Sequence, residues 1–566
     1  MRDNWGCEGL LGNVETSDLL KALQGIEKRT ERVSDEHVVA TYVDSGGLSD
    51  ALANRDNGII YGRRGTGKTH ALKYLEQTEA ANGAFVVYID VERDLGSTEG
   101  IYSDSSIGVV QRATRLLVDV LGIIHNRLVE EAFDGSLGDC LDDIDIMCDH
   151  FGQIVVSDQG EIEKTTGSES LESGSVGFSG TLNSTGIGFN AKADSSEKQT
   201  ASTRVKQTGV VRHRVHFGAF GSLLGKVVAS HPAPRFWLLI DEWSGLPLDL
   251  QPYLAEMLRR LFFSIPKVSV RIAAIPHRTS WRLKREDGGY IGVEVGAELF
   301  PILDLDEFVV FPARNREEQT NRATDFYKRL LTRHLNQVLK DRGSPQLEGR
   351  NQMVRLLFTQ TTALQELVRA AEGVPRDALL IASRAALRAG TRPISTDHVR
   401  RAASQVYQTT KQALLNANPQ ARQLLDIIIH DVINQKKARA FLLSPDDVSH
   451  PLVQQLVDER ILHVIKRGYS SKSQPGARFD VLQIDYGCYV QLLQTANAPR
   501  LLFGEGAEDD DFFMGLFYGD DEFAPLLDDA EALQDGIIVP EDDYRAIRRA
   551  VLDFPSALLR LDGNNS

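Results

Sequence analysis

The chain has 566 residues, of which 42% are hydrophobic and 25% are charged, an ordinary balance for a globular protein long enough to form several domains. It contains no apolar run long enough to cross a membrane and no secretory signal, and its four scattered cysteines suit no disulfide framework. These features exclude membrane-spanning and disulfide-stapled proteins, and we expect a cytoplasmic protein.

The formal net charge of −16 is concentrated near the C-terminus. Residues 505–543 hold 15 acidic side chains and no lysine or arginine, so the rest of the chain is close to neutral. The average charge therefore does not exclude an anionic partner such as DNA.

Strands and helices alternate in the first half of the chain. A short apolar strand in "NGIIYG" precedes a glycine-rich loop and a helix that begins near Lys68. Buried strands follow at residues 84–90 and 236–240 and in "VSVRIAAIPH", with amphipathic helices between them. This alternation predicts an α/β fold with an open parallel sheet.

One segment interrupts the alternation. Residues 154–209 are rich in Ser, Thr, Gly and Glu, and "GSVGFSGTLNSTGIGFNAKAD" alternates apolar and polar residues on both sides of "NST". The pattern indicates either a β-hairpin inserted on flexible stalks or a disordered surface loop.

The second half of the chain is mainly helical. We expect a long helix in residues 315–341, a helical pair broken at 373–375, and a capped helix in "ISTDHVRRAASQVY". Residues 421–445 and 448–468 are predicted as two helices, and two strands with a Gly/Ser/Pro turn follow in 469–493. That order is typical of a winged helix, with a last helix expected at "DDYRAIRRAVLDF".

The loop "GRRGTGKTH" is the first stretch that carries chemistry. Its spacing is Gly, any four residues, then Gly-Lys-Thr, which lets backbone N–H groups face phosphates at the start of a helix. Lys68 should reach the β- and γ-phosphates, and the Thr69 hydroxyl should ligate magnesium. The nucleotide-binding candidates are Gly62, Arg63, Arg64, Gly65, Thr66, Gly67, Lys68, Thr69 and His70.

Acidic residues follow the strand in "FWLLIDEWSGLP". Asp241 is placed to hold magnesium and Glu242 to act as general base toward the attacking water. His277 and Arg278 end the next strand, where a polar group can sense the γ-phosphate. Arg376 opens a later helix, from which a guanidinium can reach the phosphates.

The series "GRRGTGKTH", "LLIDEW", "IAAIPHR" and "GVPRDAL" resembles the Walker A, Walker B, sensor 1 and sensor 2 motifs of AAA+ P-loop ATPases. The helices after it resemble the lid and winged helix of the origin-recognition and cell-division-cycle initiator branch. The resemblance implies ATP and Mg²⁺ as cofactors and catalytic roles for Lys68, Glu242, Arg278 and Arg376. It also implies self-association with an arginine finger, for which Arg259, Arg260, Arg282 and Arg285 are candidates.

His277 departs from the family, which more often has Asn at sensor 1, and Arg278 resembles the sensor arginine of related signal-transduction ATPases. We expect an N-terminal segment at 1–33, an ATPase core at 34–311, a helical lid at 312–408, a winged-helix domain at 409–500 and an acidic segment at 501–566. The inserted segment and the acidic segment are not part of the ordinary initiator pattern.

Two functions remain open from the sequence. The first is an ATP-driven switch that binds double-stranded DNA through basic residues of the winged helix, namely Lys436, Lys437, Arg439, Lys466, Arg467, Lys472 and Arg478. The second is a signalling ATPase of a phage-defence system that controls a protein effector without DNA chemistry. The acidic segment, which also holds aromatic residues, would cover the basic winged helix, dock to a partner, or serve as a solubilising tail.

Overall fold

A computed structural model of the protein describes residues 14–44, 47–95, 102, 104, 106–134, 140–151, 153–157, 210–306, 316–436, 438–470, 477–493 and 551–563. The chain forms two compact units. The first unit comprises residues 1–54, 60–78 and 301–566, and the second comprises residues 55–59 and 79–300.

In the described residues, three α-helices precede the first strand: α1 (Thr16–Gln24), α2 (Asp35–Thr41) and α3 (Leu48–Leu52). Helix α1 is amphipathic, and its Leu19, Leu20 and Leu23 lie in the same hydrophobic core as Leu335 and Leu379. Helix α1 therefore packs in the core of the first unit, which its sequence did not indicate. The domain boundaries drawn from the sequence stay a prediction.

Strands and helices alternate between residues 58 and 304. In chain order they are β1 (Gly58–Tyr61), α4 (Lys68–Ala81), β2 (Phe85–Asp90), α5 (Val91–Asp94), α6 (Val109–Phe133), α7 (Leu141–Phe151), β3 (Gln153–Ser157), β4 (Val210–Arg214), α8 (Phe217–Ser230), β5 (Phe236–Asp241), α9 (Gln251–Leu261), β6 (Val268–Ala274), β7 (Arg282–Lys284), β8 (Tyr290–Gly292) and β9 (Phe300–Asp304).

The main sheet has the strand order β2-β5-β6-β1-β9. Strand β5 pairs in parallel with β2 and with β6, and Asp90 and Asp241 are opposite each other at the carboxyl ends of their strands. Every residue of β5 and β6 is buried, which explains why both strands are mainly apolar, although β6 also buries Ser269 and Arg271. The predicted α/β fold with a parallel sheet is confirmed.

A two-stranded ribbon flanks the inserted segment. Strands β3 and β4 pair antiparallel, with Ser157 opposite Val210 and Gln153 opposite Arg214. The ends of the insertion are therefore held together by backbone hydrogen bonds rather than by loose stalks. The hairpin expected within residues 174–194 lies outside the described residues.

Five helices, which we call the lid helices, follow β9 and a gap in the described chain. They are α10 (Arg316–Asp341), α11 (Arg350–Leu357), α12 (Thr361–Ala370), α13 (Pro375–Ala389) and α14 (Thr396–Val406). The predicted break at 373–375 separates α12 from α13, where Glu372 and Gly373 have φ of 48° and 75°. Ser395 caps α14 through a hydrogen bond from the His398 amide.

The lid runs through a π-helical turn, Tyr407–Gln412, into the segment we call the winged-helix segment, residues 413–493. Its elements are α15 (Ala413–Leu415), α16 (Pro419–Ile428), a π turn (Ile429–Gln435), β10 (Ala440–Leu443), α17 (Pro445–Val448), α18 (Pro451–Asp458), β11 (Leu462–Ser470), β12 (Arg478–Ile484) and α19 (Tyr486–Tyr489). The sheet order is β10-β12-β11, all antiparallel. Helix, strand, two helices and two strands is the order that winged-helix domains use.

Three local predictions in this region are wrong. The helix predicted across residues 448–468 ends at Asp458, and residues 462–470 form β11, the first wing strand, because they pair with β12. The helix predicted across residues 421–445 ends in the π turn, and residues 440–443 form β10, because a sheet partner in β12 overrides their helical spacing. The last predicted helix fails at residues 551–553, where Val551 forms a β-bridge with Leu442. Helix α20 (Phe554–Gly563) begins after that bridge, and its Phe554, Ala557 and Leu561 join the core of the first unit.

Among the helices of the described segments, none combines the length and the hydropathy that a membrane span requires.

Candidate nucleotide-binding site

The Gly62–Thr69 loop has the backbone that a phosphate cradle needs. Gly65 and Gly67 have φ of 86° and 103°, in the left-handed region that favours glycine. A Cβ on Gly62 would lie 2.5 Å from the Thr66 hydroxyl, so the turn closes only with glycine there. The Thr66 hydroxyl in turn donates to the Arg63 carbonyl at 2.8 Å, which ties the loop to itself.

Lys68 begins helix α4 and folds back over the loop. Its buried Nζ donates to the carbonyls of Gly62 at 2.9 Å and Arg63 at 3.1 Å. An ammonium group held at the N-terminus of a helix and beside two left-handed glycines is suited to neutralise phosphate charge. Thr69 is half-buried at the second position of the same helix.

The other polar residues of the loop divide into two groups. Arg64 is exposed. His70 points its ring to helix α2, where Nε2 lies 2.9 Å from the Val38 carbonyl, and burial lowers the pKa of that ring. Only the backbone of His70 is therefore positioned toward the loop, and its side chain serves the packing of α2 against α4.

The first turn of lid helix α13 contacts the loop directly. The Arg376 amide donates to the Gly65 carbonyl at 3.3 Å. A Cβ on Gly65 would lie 2.9 Å from Val374 Cγ1 and 3.2 Å from Arg376 Cβ. The structure thus brings the sensor 2 candidate, Arg376, onto the phosphate loop, although the two are about 300 residues apart in sequence. Burial lowers the pKa of Arg376, with Arg460 adding repulsion.

Arg63 was predicted to bind nucleotide, but its side chain is committed to protein partners. Its Nε donates to Asp306 Oδ1 at 2.7 Å, and its Nη2 donates to the Glu372 carbonyl at 3.1 Å. Its Nη1 lies 2.6 Å from Nδ1 of His463. The guanidinium is thus turned away from any phosphate, and the role of Arg63 at a nucleotide is limited to its backbone.

In the second unit, Asp241 ends strand β5 and is only 1% exposed. One carboxylate oxygen accepts from the Tyr88 hydroxyl at 2.8 Å, and the other accepts from the Glu242 amide at 2.8 Å. Glu242 has a φ of 53°, a strained value for a residue with a side chain. This bend turns the chain from the strand into the Trp243–Gly245 turn and sets the direction of the Glu242 carboxylate.

Gln251 holds the two polar turns of this unit together, a role that its sequence context gave no signal for. Its fully buried Oε1 accepts from Trp243 Nε1 at 3.2 Å and from the Ser280 amide at 2.7 Å. Its Nε2 donates to the carbonyls of Leu246 at 3.0 Å and Arg278 at 3.1 Å. One amide therefore links the turn after Asp241 to the turn that carries His277 and Arg278.

His277 and Arg278 lie half-buried in a 3-10 turn, Pro276–Arg278, after β6. Two of the arginine-finger candidates, Arg259 and Arg260, both pair with the Glu256 carboxylate of their own helix. Arg285 pairs with Asp287, and Arg282 is exposed on β7. The geometry therefore does not select a finger, and all four stay predictions.

The basic residues expected to contact DNA are only partly available. Arg439 is 2% exposed, and Lys436 is half-buried and donates to the Val551 carbonyl at 2.8 Å, so neither presents an exposed cation. Burial explains this correction, because the predicted helix around them is replaced by β10 and its core contacts. Arg467 and Arg478 are exposed on the two wing strands, where Arg467 lies 3.7 Å from the Asp480 carboxylate and Arg478 donates to the Gly468 carbonyl at 3.0 Å. Lys437, Lys472 and the side chain of Lys466 lie outside the described residues.

One family model matches the region of the chain that contains the loop. Residues 27–83 match the model of the ORC-CDC6-like family. No curated protein sequence matches the chain. The resemblance to ORC-CDC6-like AAA+ ATPases drawn from the motifs is confirmed by the family match.

Three solved structures are similar to the chain. A Cdc6p of Pyrobaculum aerophilum is 14% identical, with 81% of this chain and 98% of that chain covered and a TM-score of 0.30. The Orc1 protein of Aeropyrum pernix, solved in complex with DNA, is 14% identical, with 81% and 95% covered and a TM-score of 0.28. A Walker-type ATPase of Pyrococcus abyssi is 12% identical, with 83% and 98% covered and a TM-score of 0.33.

Proposed function

We propose that the protein binds ATP at the Gly62–Thr69 loop and hydrolyses it to ADP and phosphate. The observation that carries the proposal is the buried Lys68 ammonium, held over a loop with two left-handed glycines. The ORC-CDC6-like family match over the same residues supports an ATPase role.

The remaining roles follow from the chemistry of the side chains. Thr69 offers a hydroxyl and Asp241 offers a carboxylate, and each is an oxygen donor of the kind that Mg²⁺ prefers. Bound Mg²⁺ would neutralise charge on the phosphates. Glu242 would take the proton of the attacking water, and Arg278, His277 and Arg376 would stabilise negative charge on the γ-phosphate.

Phosphate release from ATP by the wild type and by Lys68→Ala and Glu242→Gln tests the proposal. Lys68→Ala should lose both binding and hydrolysis, whereas Glu242→Gln should keep binding and lose hydrolysis. An unchanged rate in Glu242→Gln would remove the proposed general base. A wild type that binds no nucleotide would remove the proposed function altogether.

We further propose that the nucleotide state controls contact with double-stranded DNA and self-association. Arg467 and Arg478 support DNA contact, since both are exposed on the wing strands. Helix α18, the helix at the groove-reading position of a winged helix, has the sequence PLVQQLVD and no basic residue. The proposed contact is therefore with phosphates through the wing, and it carries no base reading.

The salt dependence of duplex binding tests this second part. Replacing both Arg467 and Arg478 by alanine should lower the affinity and reduce the slope of log K against log salt by about two units, roughly 0.9 for each phosphate that is no longer neutralised. Arg422→Ala, which removes an exposed arginine from α16, is the matched control. Equal slopes in all three proteins would refute a wing contact. No described residue of the chain favours the phage-defence alternative.

A further inference from the structure

The side chain of Arg63, a residue of the phosphate loop, anchors the loop to other parts of the first unit. Arg63 is 8% exposed, and its guanidinium makes hydrogen bonds to the Asp306 carboxylate, the Glu372 carbonyl and the His463 ring. Its backbone amide also donates to Asp306 Oδ2 at 2.9 Å. Arg63 is therefore fixed at four points, and the backbone between Gly62 and Gly65 is fixed with it.

The partner of Arg63 in the winged-helix segment is a neutral histidine. A guanidinium can only donate, so Nδ1 of His463 must accept, and the ring proton must lie on Nε2. That nitrogen lies 3.1 Å from Asp485 Oδ2 and donates to it. His463 is 2% exposed, and burial lowers its pKa to about 4, so the ring is neutral at physiological pH.

The contacts continue from His463 to the lid. Asp485 accepts from the buried Lys411 ammonium, which lies in the π turn between lid and winged-helix segment. Lys411 also pairs with Asp377 at 3.0 Å, the residue after Arg376 on helix α13. Asp377 in turn pairs with Arg460. Each charge in this buried set faces an opposite charge or a hydrogen-bond donor, as a low-dielectric site requires.

These contacts close a circuit within the first unit. It runs from Arg63 in the loop through His463, Asp485, Lys411 and Asp377 to helix α13, whose Arg376 amide returns to the Gly65 carbonyl of the loop. A shift of the winged-helix strand β11 would therefore move the acceptor of Arg63. Such a shift would alter the loop without touching a nucleotide.

We propose that Arg63 is a positioning residue of the phosphate loop, and that His463 of the winged-helix segment sets the loop's affinity for nucleotide through it. The inference rests on the proposed ATP site and adds its regulation. It predicts a coupling in both directions, because a ligand that displaces β11 must change nucleotide affinity by the same factor as nucleotide changes that ligand's affinity.

Two substitutions of His463 separate its two hydrogen bonds. In His463→Asn the amide oxygen takes the place of Nδ1 and still accepts from Arg63, while the bond to Asp485 is removed. In His463→Gln the amide nitrogen takes the place of Nε2 and still donates to Asp485, while the bond to Arg63 is removed. Both are neutral and polar, so each is the control for the other.

The readout is the equilibrium binding of a fluorescent ATP analogue with Mg²⁺ to the full chain. We expect His463→Asn to bind within about threefold of wild type and His463→Gln to bind at least about tenfold more weakly, the effect of removing one hydrogen bond to a charged group. In a protein that also carries Arg63→Lys, the planar guanidinium with its several donors is absent. The difference in nucleotide affinity between His463→Asn and His463→Gln should then disappear.

The outcomes are distinct. If both variants bind like the wild type, or if both are weakened equally along with the temperature of unfolding, His463 has only a structural role and the inference is refuted. Should His463→Gln fail to fold, Arg63→Lys must still weaken binding relative to wild type, and unchanged binding there refutes the inference. If the wild type itself binds no more analogue than Lys68→Ala, the proposed function fails instead.

Discussion

Because of its hydrogen bonds, we expect Gln251 to be important for the stability of the second unit. Replacement by leucine keeps the approximate volume but removes an acceptor for Trp243 Nε1 and the Ser280 amide. It also removes a donor to the carbonyls of Leu246 and Arg278. The residue is 0% exposed, so water cannot replace these partners without a rearrangement.

The magnitude follows from the two stranded donors. A buried donor without a partner costs about 1–3 kcal/mol, so Gln251→Leu should lower the free energy of unfolding by about 2–6 kcal/mol. Gln420→Leu, at an exposed position of α16, is the matched control and should change that free energy by less than about 0.5 kcal/mol.

Tryptophan fluorescence during urea unfolding is the appropriate assay. The chain has four tryptophans, and Trp237, Trp243 and Trp281 all belong to the second unit. Trp243 and Trp281 stack with ring centroids 4.9 Å apart, so their emission reports the same turn that Gln251 holds. If Gln251→Leu and Gln420→Leu shift the midpoint equally, the hydrogen-bond argument for Gln251 is wrong.

Three further predictions concern the site and its surroundings. Glu242→Gln should lower the rate of ATP hydrolysis about 100-fold or more and leave nucleotide affinity unchanged, as phosphate release and equilibrium binding would show; a rate within a few-fold of wild type would exclude Glu242 as the base. Gly65→Ala should abolish tight nucleotide binding, because its φ is 86° and the new Cβ would meet Val374 at 2.9 Å; Gly83→Ala, with a φ of 81° and open space, should bind nucleotide normally, and equal affinities would contradict the crowding argument. Burial raises the pKa of Glu372 from its ordinary 4.5 to about 7, so the folded state retains a proton that the unfolded state has released. The stability from this group is complete below about pH 4.5 and declines as the pH rises through about 7, and Glu372→Gln should remove that decline when unfolding midpoints are compared at pH 5 and pH 8. The same pH response in both proteins would show that Glu372 titrates normally.

The sheet and the phosphate loop could be predicted because their signals are local. An apolar run such as residues 236–241 is unambiguous when both faces of a strand are buried, and the loop is defined by its own glycines and Lys68. The Gly-Val-Pro turn before Arg376 also marks a helix start, and helix α13 begins there at Pro375. The role of Arg376 at a nucleotide stays a prediction.

The partners of these residues could not be predicted in the same way. Arg63 contacts Asp306, Glu372 and His463, which are 243, 309 and 400 positions away in sequence. No spacing rule connects residues so far apart, so the place of Arg63 in the loop by itself predicts a phosphate ligand. The prediction that Arg439 contacts DNA was wrong for a related reason. Basic residues near a predicted helix suggest a solvent-exposed face, but Arg439 directly precedes strand β10 and is buried.

The β3–β4 ribbon affects how the inserted segment can vary in length and sequence during evolution. Because Ser157 and Val210 are directly paired, the two ends of the segment 158–209 are held at adjacent points. The entropic free-energy cost of closing a loop rises only with the logarithm of the loop's length, by about 0.6 kcal/mol for each doubling. The ribbon therefore closes the insertion at its base. Residues 158–209 can be exchanged, lengthened or shortened to a turn during evolution, while the residues that form the main sheet stay unchanged.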